Sequence, residues 1–148
     1  MRKHVMAAIV TMFVGGCVSA QTQASGIDSL RDLVSIKAQN NNVPIPLAHA
    51  VVAVESRYNP KAFNQGSYGI GQIRCGTAKG LGFTGKCTQL YDPDVNLDYA
   101  MQYLRLALDA ADENWCHAVT LYNEGLGSRS KKGNYCKKVI KITKEDIN

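Results

Sequence analysis

Residues 47–73 read LAHAVVAVESRYNPKAFNQGSYGIGQI, and the fold turns on how this stretch divides. Positions 47–56 are almost wholly apolar, which predicts a short helix in the core of a small domain. Pro46 stands just ahead, where a first helical residue tolerates proline. Beyond position 56, Asn59-Pro60, Asn64, Gly66, Gly69 and Gly71 punctuate the chain into a glycine-rich loop. The one acidic residue of the helix is Glu55, and one turn back lie Val51 and Val52. It also sits near the helix C-terminus, where the negative end of the dipole disfavours a carboxylate. Both influences push a carboxyl pKa upward, and a carboxyl kept protonated near neutral pH is what a general acid requires. The plainer alternative is a solvated glutamate at a helix end.

Outward from this stretch the chain reads as helix after helix. On the N-terminal side, residues 21–26 form a polar lead-in. Leu30, Leu33, Val34 and Lys37 then recur at helical spacing over 28–39, with Asp28 or Ser29 as the start cap. On the C-terminal side, 77–81 predicts a brief helix. Asp92-Pro93-Asp94 opens what the pattern makes the longest helix, ending near Ala111, with Ala100, Tyr103, Leu104, Ala107, Leu108 and Ala111 on one stripe. Residues 113–122 predict a further helix ended by Asn123-Glu124-Gly125, and 130–140 a last, lysine-rich one. No stretch alternates with period two. The fold class is mainly α: one domain over residues 21–148, with a basic C-terminal helix and tail from 128.

The whole chain has 148 residues, 45% hydrophobic and 20% charged, with a formal charge of +5. These values exclude a disordered chain, a collagen, a coiled coil and a multi-pass membrane protein. Residues 1–20 read as a secretory signal peptide: a basic head to His4, an apolar run over 5–16 too short to span a bilayer, then small residues. Val18-Ser19-Ala20 offers a cleavage site. Val14-Gly15-Gly16-Cys17 offers a competing lipoprotein box, imperfect at Gly15, which would anchor the protein to a membrane through Cys17. Removing Arg2 and Lys3 leaves 15 basic residues against 12 acidic ones, a charge of +3. Four cysteines then remain, an even number that in an exported chain predicts two disulfides. Of three pairings, Cys75–Cys87 and Cys116–Cys136 each close a short local loop. The rival zinc site lacks any Cys-x-x-Cys pair.

Four motifs follow one another along the chain: Glu55-Ser56 with Asn59-Pro60, then Gly69-Ile70-Gly71-Gln72, then Asp92-Pro93, then Tyr122-Asn123-Glu124-Gly125. In this order they resemble the lytic transglycosylases with a soluble-lytic-transglycosylase catalytic domain, over about residues 28–127. The resemblance implies a goose-lysozyme-like fold with a long central helix. It also implies cleavage of the β-1,4 bond between N-acetylmuramic acid and N-acetylglucosamine in peptidoglycan, leaving a 1,6-anhydro ring. Carried over by motif position, Glu55 is the single acid and base. Gln72 lines the cleft, Tyr122 orients Glu55, Asn123 braces the turn beside it, and Ser56 supports the helix end. Gly69 and Gly71 would let backbone approach a saccharide, and Tyr68 is a candidate stacking ring. The implied partners are glycan strands and, for small members of the family, secretion or conjugation machinery; the implied setting is the periplasm or cell envelope.

The residues agree in one respect. Most glycosidases need two carboxylates, and the candidates for a second are poor: Asp92 and Asp94 read as helix-start residues, and Glu124 as a solvated turn residue, though it replaces the small residue expected there. Gly71 replaces the family's usual methionine, which predicts a missing apolar cleft wall, and the Cys75–Cys87 loop is one that many relatives lack. A hydrolytic muramidase and a wall-binding module that no longer cuts are the alternatives.

Other signals carry less. Gly80-Leu81-Gly82-Phe83-Thr84-Gly85-Lys86 approaches a phosphate-binding loop, but Cys87 stands where the metal-binding hydroxyl belongs. His49 and His117 have no partner at metal spacing. No cofactor and no metal are expected. The lysines near the C-terminus read as a solvated face, and a charge of +3 on an exported chain argues against nucleic acid.

Overall fold

The computed structural model describes residues 19–145. The expected export segment, with Cys17, lies outside them except for Ser19 and Ala20. Helix α1 (Ser19–Asn40) is followed by α2 (Ile45–Ser56), three two-residue strands β1 (Phe63–Asn64), β2 (Ser67–Tyr68) and β3 (Ile73–Arg74), and the short α3 (Cys75–Gly80). A 3₁₀ turn (Cys87–Tyr91) leads into α4 (Pro93–Ala110), then α5 (Trp115–Glu124) and α6 (Asn134–Glu145).

Helix α2 is nearly all apolar because it is packed from two sides, by α1 and α6. Leu47, Ala48, Ala50, Val51 and Val52 are wholly inaccessible. They meet Leu97, Ala100, Met101, Leu104 and Leu108 of α4, Val119 of α5 and Val139 of α6 in one core. A second, smaller cluster of Ile73, Ala78, Phe83 and Leu90 lies under the strands and α3. Asp92 accepts from the Asp94 N–H ahead of Pro93 and so caps α4, and Asn114 caps α5 by accepting from His117 N–H. Across α1 and α4, Lys37 bridges Asp94 and Asp98 at 3.0 and 2.7 Å. Both disulfides pair locally as expected, Cys75–Cys87 and Cys116–Cys136.

Several boundaries differ from the sequence reading. Helix α1 runs through the supposed lead-in, because Ala and Gln favour a helix even where no apolar stripe marks it. Ser29 therefore sits inside the helix, its hydroxyl bonded to the Gly26 carbonyl rather than capping a start. Among the described residues α1, with 22 residues, and not α4 with 18, is the longest helix. Helix α5 starts two residues later than expected and absorbs Asn123 and Glu124, while α6 starts only at Asn134 and runs on to Glu145. The strands escaped the reading altogether: β1 and β2 pair antiparallel, Phe63 opposite Tyr68 and Asn64 opposite Ser67, too short for any alternation to show. Their turn, Gln65-Gly66, has φ of 46° and 85°, the doubly positive pattern of a tight hairpin, made here without the usual Asn-Gly.

Candidate active site

A cleft of about 370 Å³ opens beside the end of α2. The hairpin and the segment after it supply Asn64, Gln65, Ser67, Gln72, Arg74 and Thr77 to its lining; Tyr103 comes from α4, and Tyr122, Asn123, Glu124 and Gly125 from the end of α5. Glu55 stands in this lining, half-buried, in the last turn of α2.

Its position has a local cause. Helix α2 stops at a left-handed residue, Arg57, whose N–H closes on Ala53, and Tyr58 repeats the left-handed turn with φ of 62°. The chain thus turns away immediately after Glu55-Ser56. Ser56 Oγ donates to the Ile70 carbonyl at 2.6 Å, tying the helix end to the glycine-rich loop.

Burial pushes the Glu55 pKa above the usual carboxylate range. The Tyr135 hydroxyl opposes this by donating to Glu55 Oε1 at 2.5 Å, a charge-assisted length when the carboxyl is ionised. Burial and the Glu55 charge in turn hold the Tyr135 phenol well above its normal pKa. Tyr122 is buried and its phenol is raised for the same two reasons. Its hydroxyl, however, donates to the Gly71 carbonyl at 2.7 Å. The hydroxyl that directly contacts Glu55 is therefore that of Tyr135, with Tyr122 acting through space.

Glu55, Gln72, Tyr122 and Asn123 come together on the cleft; Ser56, Gly69 and Tyr68 do not line it. Gln72 holds a left-handed φ of 49° and its Nε2 donates to the Gly69 carbonyl at 2.9 Å. Gly69 and Gly71 are pressed against α4 rather than turned to a ligand. A Cβ at 69 would lie 2.3 Å from the Leu90 carbonyl, and one at 71 would lie 2.6 Å from Ala100 Cβ. Gly71 thus leaves no gap in the cleft wall; it is the residue that lets α4 approach. Tyr68 packs edge-on between Phe63 and Tyr91, at 5.0 and 5.4 Å between ring centres.

Two contributors were missed. Asn96 is wholly buried in α4. Its Oδ1 accepts from Gly71 N–H, and its Nδ2 donates to the Tyr68 and Leu90 carbonyls. Tyr135 stands 80 residues from Glu55, and nothing in the spacing of the chain connects the two. His49, set aside as a metal ligand, bonds Ser35 Oγ through Nε2 and the Tyr58 hydroxyl through Nδ1. Among the described residues no group of three or more His, Cys, Asp or Glu is placed to hold a metal, and no helix is long and apolar enough to cross a membrane.

Residues 32–144 match the model of the transglycosylase SLT domain. The fold is also similar to the 1.65 Å crystal structure of the 70 kDa soluble lytic transglycosylase from Escherichia coli, with a TM-score of 0.66 and 22% identity. That similarity covers 85% of this chain and 26% of the other, so this chain spans about a quarter of that enzyme's length. The likeness of the two structures is one of fold, whereas the match to the domain model takes in most of the sequence, and on that match this chain belongs to the transglycosylase SLT domain family.

Proposed function

We propose that this chain is a peptidoglycan lytic transglycosylase that cleaves the β-1,4 bond between N-acetylmuramic acid and N-acetylglucosamine, with Glu55 as its single acid and base. The observation that carries this reading is the environment of Glu55: a half-buried carboxyl on a polar cleft, biased by burial toward its protonated form and held by one tyrosine hydroxyl. Protonated Glu55 gives its proton to the glycosidic oxygen as the bond from C1 breaks, and the N-acetylglucosamine side leaves as an alcohol. The carboxylate so formed takes the proton of the muramic acid 6-hydroxyl while O6 bonds to C1, closing the 1,6-anhydro ring and restoring the acid. No water enters the balance. Gln72 and Asn123, both on the cleft, are assigned to the sugar's hydroxyl and acetamido groups.

A hydrolytic course is favoured by one feature, the second cleft carboxyl of Glu124. That group is exposed, and its Oε2 accepts from Ser128 Oγ at 2.6 Å. We assign it to substrate binding at the rim, because it lies exposed there and lacks the burial that surrounds Glu55. Two disulfides in so small a domain support an oxidising compartment, which agrees with a signal peptide at 1–20 and a site of action in the cell envelope. Service to a secretion or conjugation machine that must pass the wall is the proposed setting. Replacing Glu55 with Gln tests the assignment: release of soluble muropeptides is expected to fall at least about a thousandfold, with the fold retained. Activity within about tenfold of the original would remove Glu55 from the role.

A further inference from the structure

The Tyr135–Glu55 contact depends on where α6 begins. Tyr135 is the second residue of that helix, and helix ends are the first parts to open locally. The connector before it, residues 125–133, carries Gly125, Gly127 and Gly133 with Ser128 and Ser130, a composition that imposes little on the path of the chain. The hydrogen bonds seen within it are local: Ser128 N–H to the Gly125 carbonyl, Ser128 Oγ to Glu124, Ser130 N–H to Ser128 Oγ, and Ser130 Oγ to the Lys132 carbonyl. Of the residues by which α6 packs on the core, Val139, Ile140 and Ile142 lie beyond the first turn, and only Tyr135 itself and the disulfide-bonded Cys136 lie within it.

One covalent bond acts at the right place. Cys136 immediately follows Tyr135 and is bonded to Cys116. Cys116 lies in the first turn of α5, which Asn114 caps and where Thr120 Oγ1 bonds the Cys116 carbonyl. The bond closes residues 116–136 into a ring. The same ring contains Tyr122, Asn123, Glu124 and Gly125 of the cleft lining. The Cys75–Cys87 ring also reaches the cleft, through Thr77, but holds no residue bonded to Glu55.

We propose that the Cys116–Cys136 disulfide is a positioning device for Glu55, holding the Tyr135 hydroxyl on the carboxyl group by fixing the first turn of α6 to the first turn of α5. This deepens the reading of Glu55 as the acid and base and rests on it for its effect on rate, though not for its effect on the contact. The titratable or charged groups around the carboxyl are Tyr135 of α6, Tyr122 of α5, Tyr103 of α4, and Arg74 and Glu124 on the cleft. Of these, Tyr135 is the one bonded to it directly.

The test uses the chain labelled with carbon-13 at the tyrosine Cζ, with the Tyr135 signal assigned by Tyr135→Phe. In the wild type that signal moves as Glu55 ionises, because the two share a hydrogen bond. In Cys116→Ala/Cys136→Ala the movement is expected to vanish, and muropeptide release to fall roughly ten- to hundredfold, the scale of one lost bond to a charged group. Adding Tyr135→Phe to that variant should lower the rate no further. In Cys75→Ala/Cys87→Ala the Tyr135 signal should still follow Glu55. Persistence of the coupled titration without the Cys116–Cys136 bond would overturn the proposal. So would collapse of the circular dichroism spectrum of that variant, which would make the bond a support of the whole domain rather than of the site. If the wild type shows the coupled titration but releases no muropeptide, the functional reading fails while the positioning role stands.

Discussion

At Glu55 two effects oppose each other, and the sign of each makes a prediction. Burial raises the carboxyl pKa, and the Tyr135 hydrogen bond lowers it. Because burial prevails, the folded protein holds the Glu55 proton more tightly than the unfolded chain does. Stability then falls as pH rises from the unfolded value of about 4.3 through the raised folded value. Glu55→Gln removes this penalty, so its Tm at pH 7 should exceed that of the wild type. The gain should shrink on acidification and vanish below about pH 4; thermal melts across that range check it. Tyr135→Phe keeps the burial and loses the bond, so the alkaline limb of the rate profile should move to higher pH while the maximal rate falls roughly ten- to hundredfold. A pH–rate series on a soluble glycan substrate reads both. The half-buried, helix-end setting of Glu55 was legible in the sequence because its signal is local: an apolar turn before it and a helix end after it. Tyr135 was not, because its role is set by the packing of α6 on α2, which no spacing along the chain encodes.

Among the elements, α4 and the glycine-rich loop are held together by one side chain. Asn96 satisfies Gly71 N–H and the carbonyls of Tyr68 and Leu90 at 2.8, 2.7 and 2.8 Å, the first and last of these bonds buried and the second part-buried. Asn96→Ala leaves those groups unpaired and should cost about 2–4 kcal/mol in denaturant unfolding. Gly71→Ala forces a Cβ to 2.6 Å from Ala100 and 3.0 Å from Asn96 Oδ1, and should cost about 1–3 kcal/mol. Both substitutions lie behind the Gln72 wall, so KM should rise along with the loss of stability. The helices themselves could be read from the chain, since an apolar stripe or a proline with a capping Asp marks α2 and α4. The strands could not: two residues carry no period, and the hairpin turn uses Gln65-Gly66 where Asn-Gly would have announced it. The glycines at 69 and 71 were visible as glycines, but which neighbour required them was not.

At the scale of the whole molecule, a small domain is stapled at both sides of its cleft. The rings closed by the disulfides, with sequence separations of 12 and 20 residues, each contribute about 3 kcal/mol by restricting the unfolded chain. Cys75→Ala/Cys87→Ala should therefore unfold at lower denaturant by that amount and yet keep its cleavage chemistry. Their pairing was legible because short loops are the easiest to close. The mainly helical class was legible too, through four motifs spread over most of the chain. What that pattern could not convey was the depth of the cleft or the company of its carboxyl group, both of which arise when α4, α5 and α6 close around α2. The central claim, that one carboxyl both gives and retakes a proton without water, is tested most directly by mass spectrometry of the fragments released from purified peptidoglycan. The account predicts fragments ending in 1,6-anhydro-N-acetylmuramic acid, absent when Glu55→Gln is used. Fragments with ordinary reducing ends, heavier by one water, would contradict it.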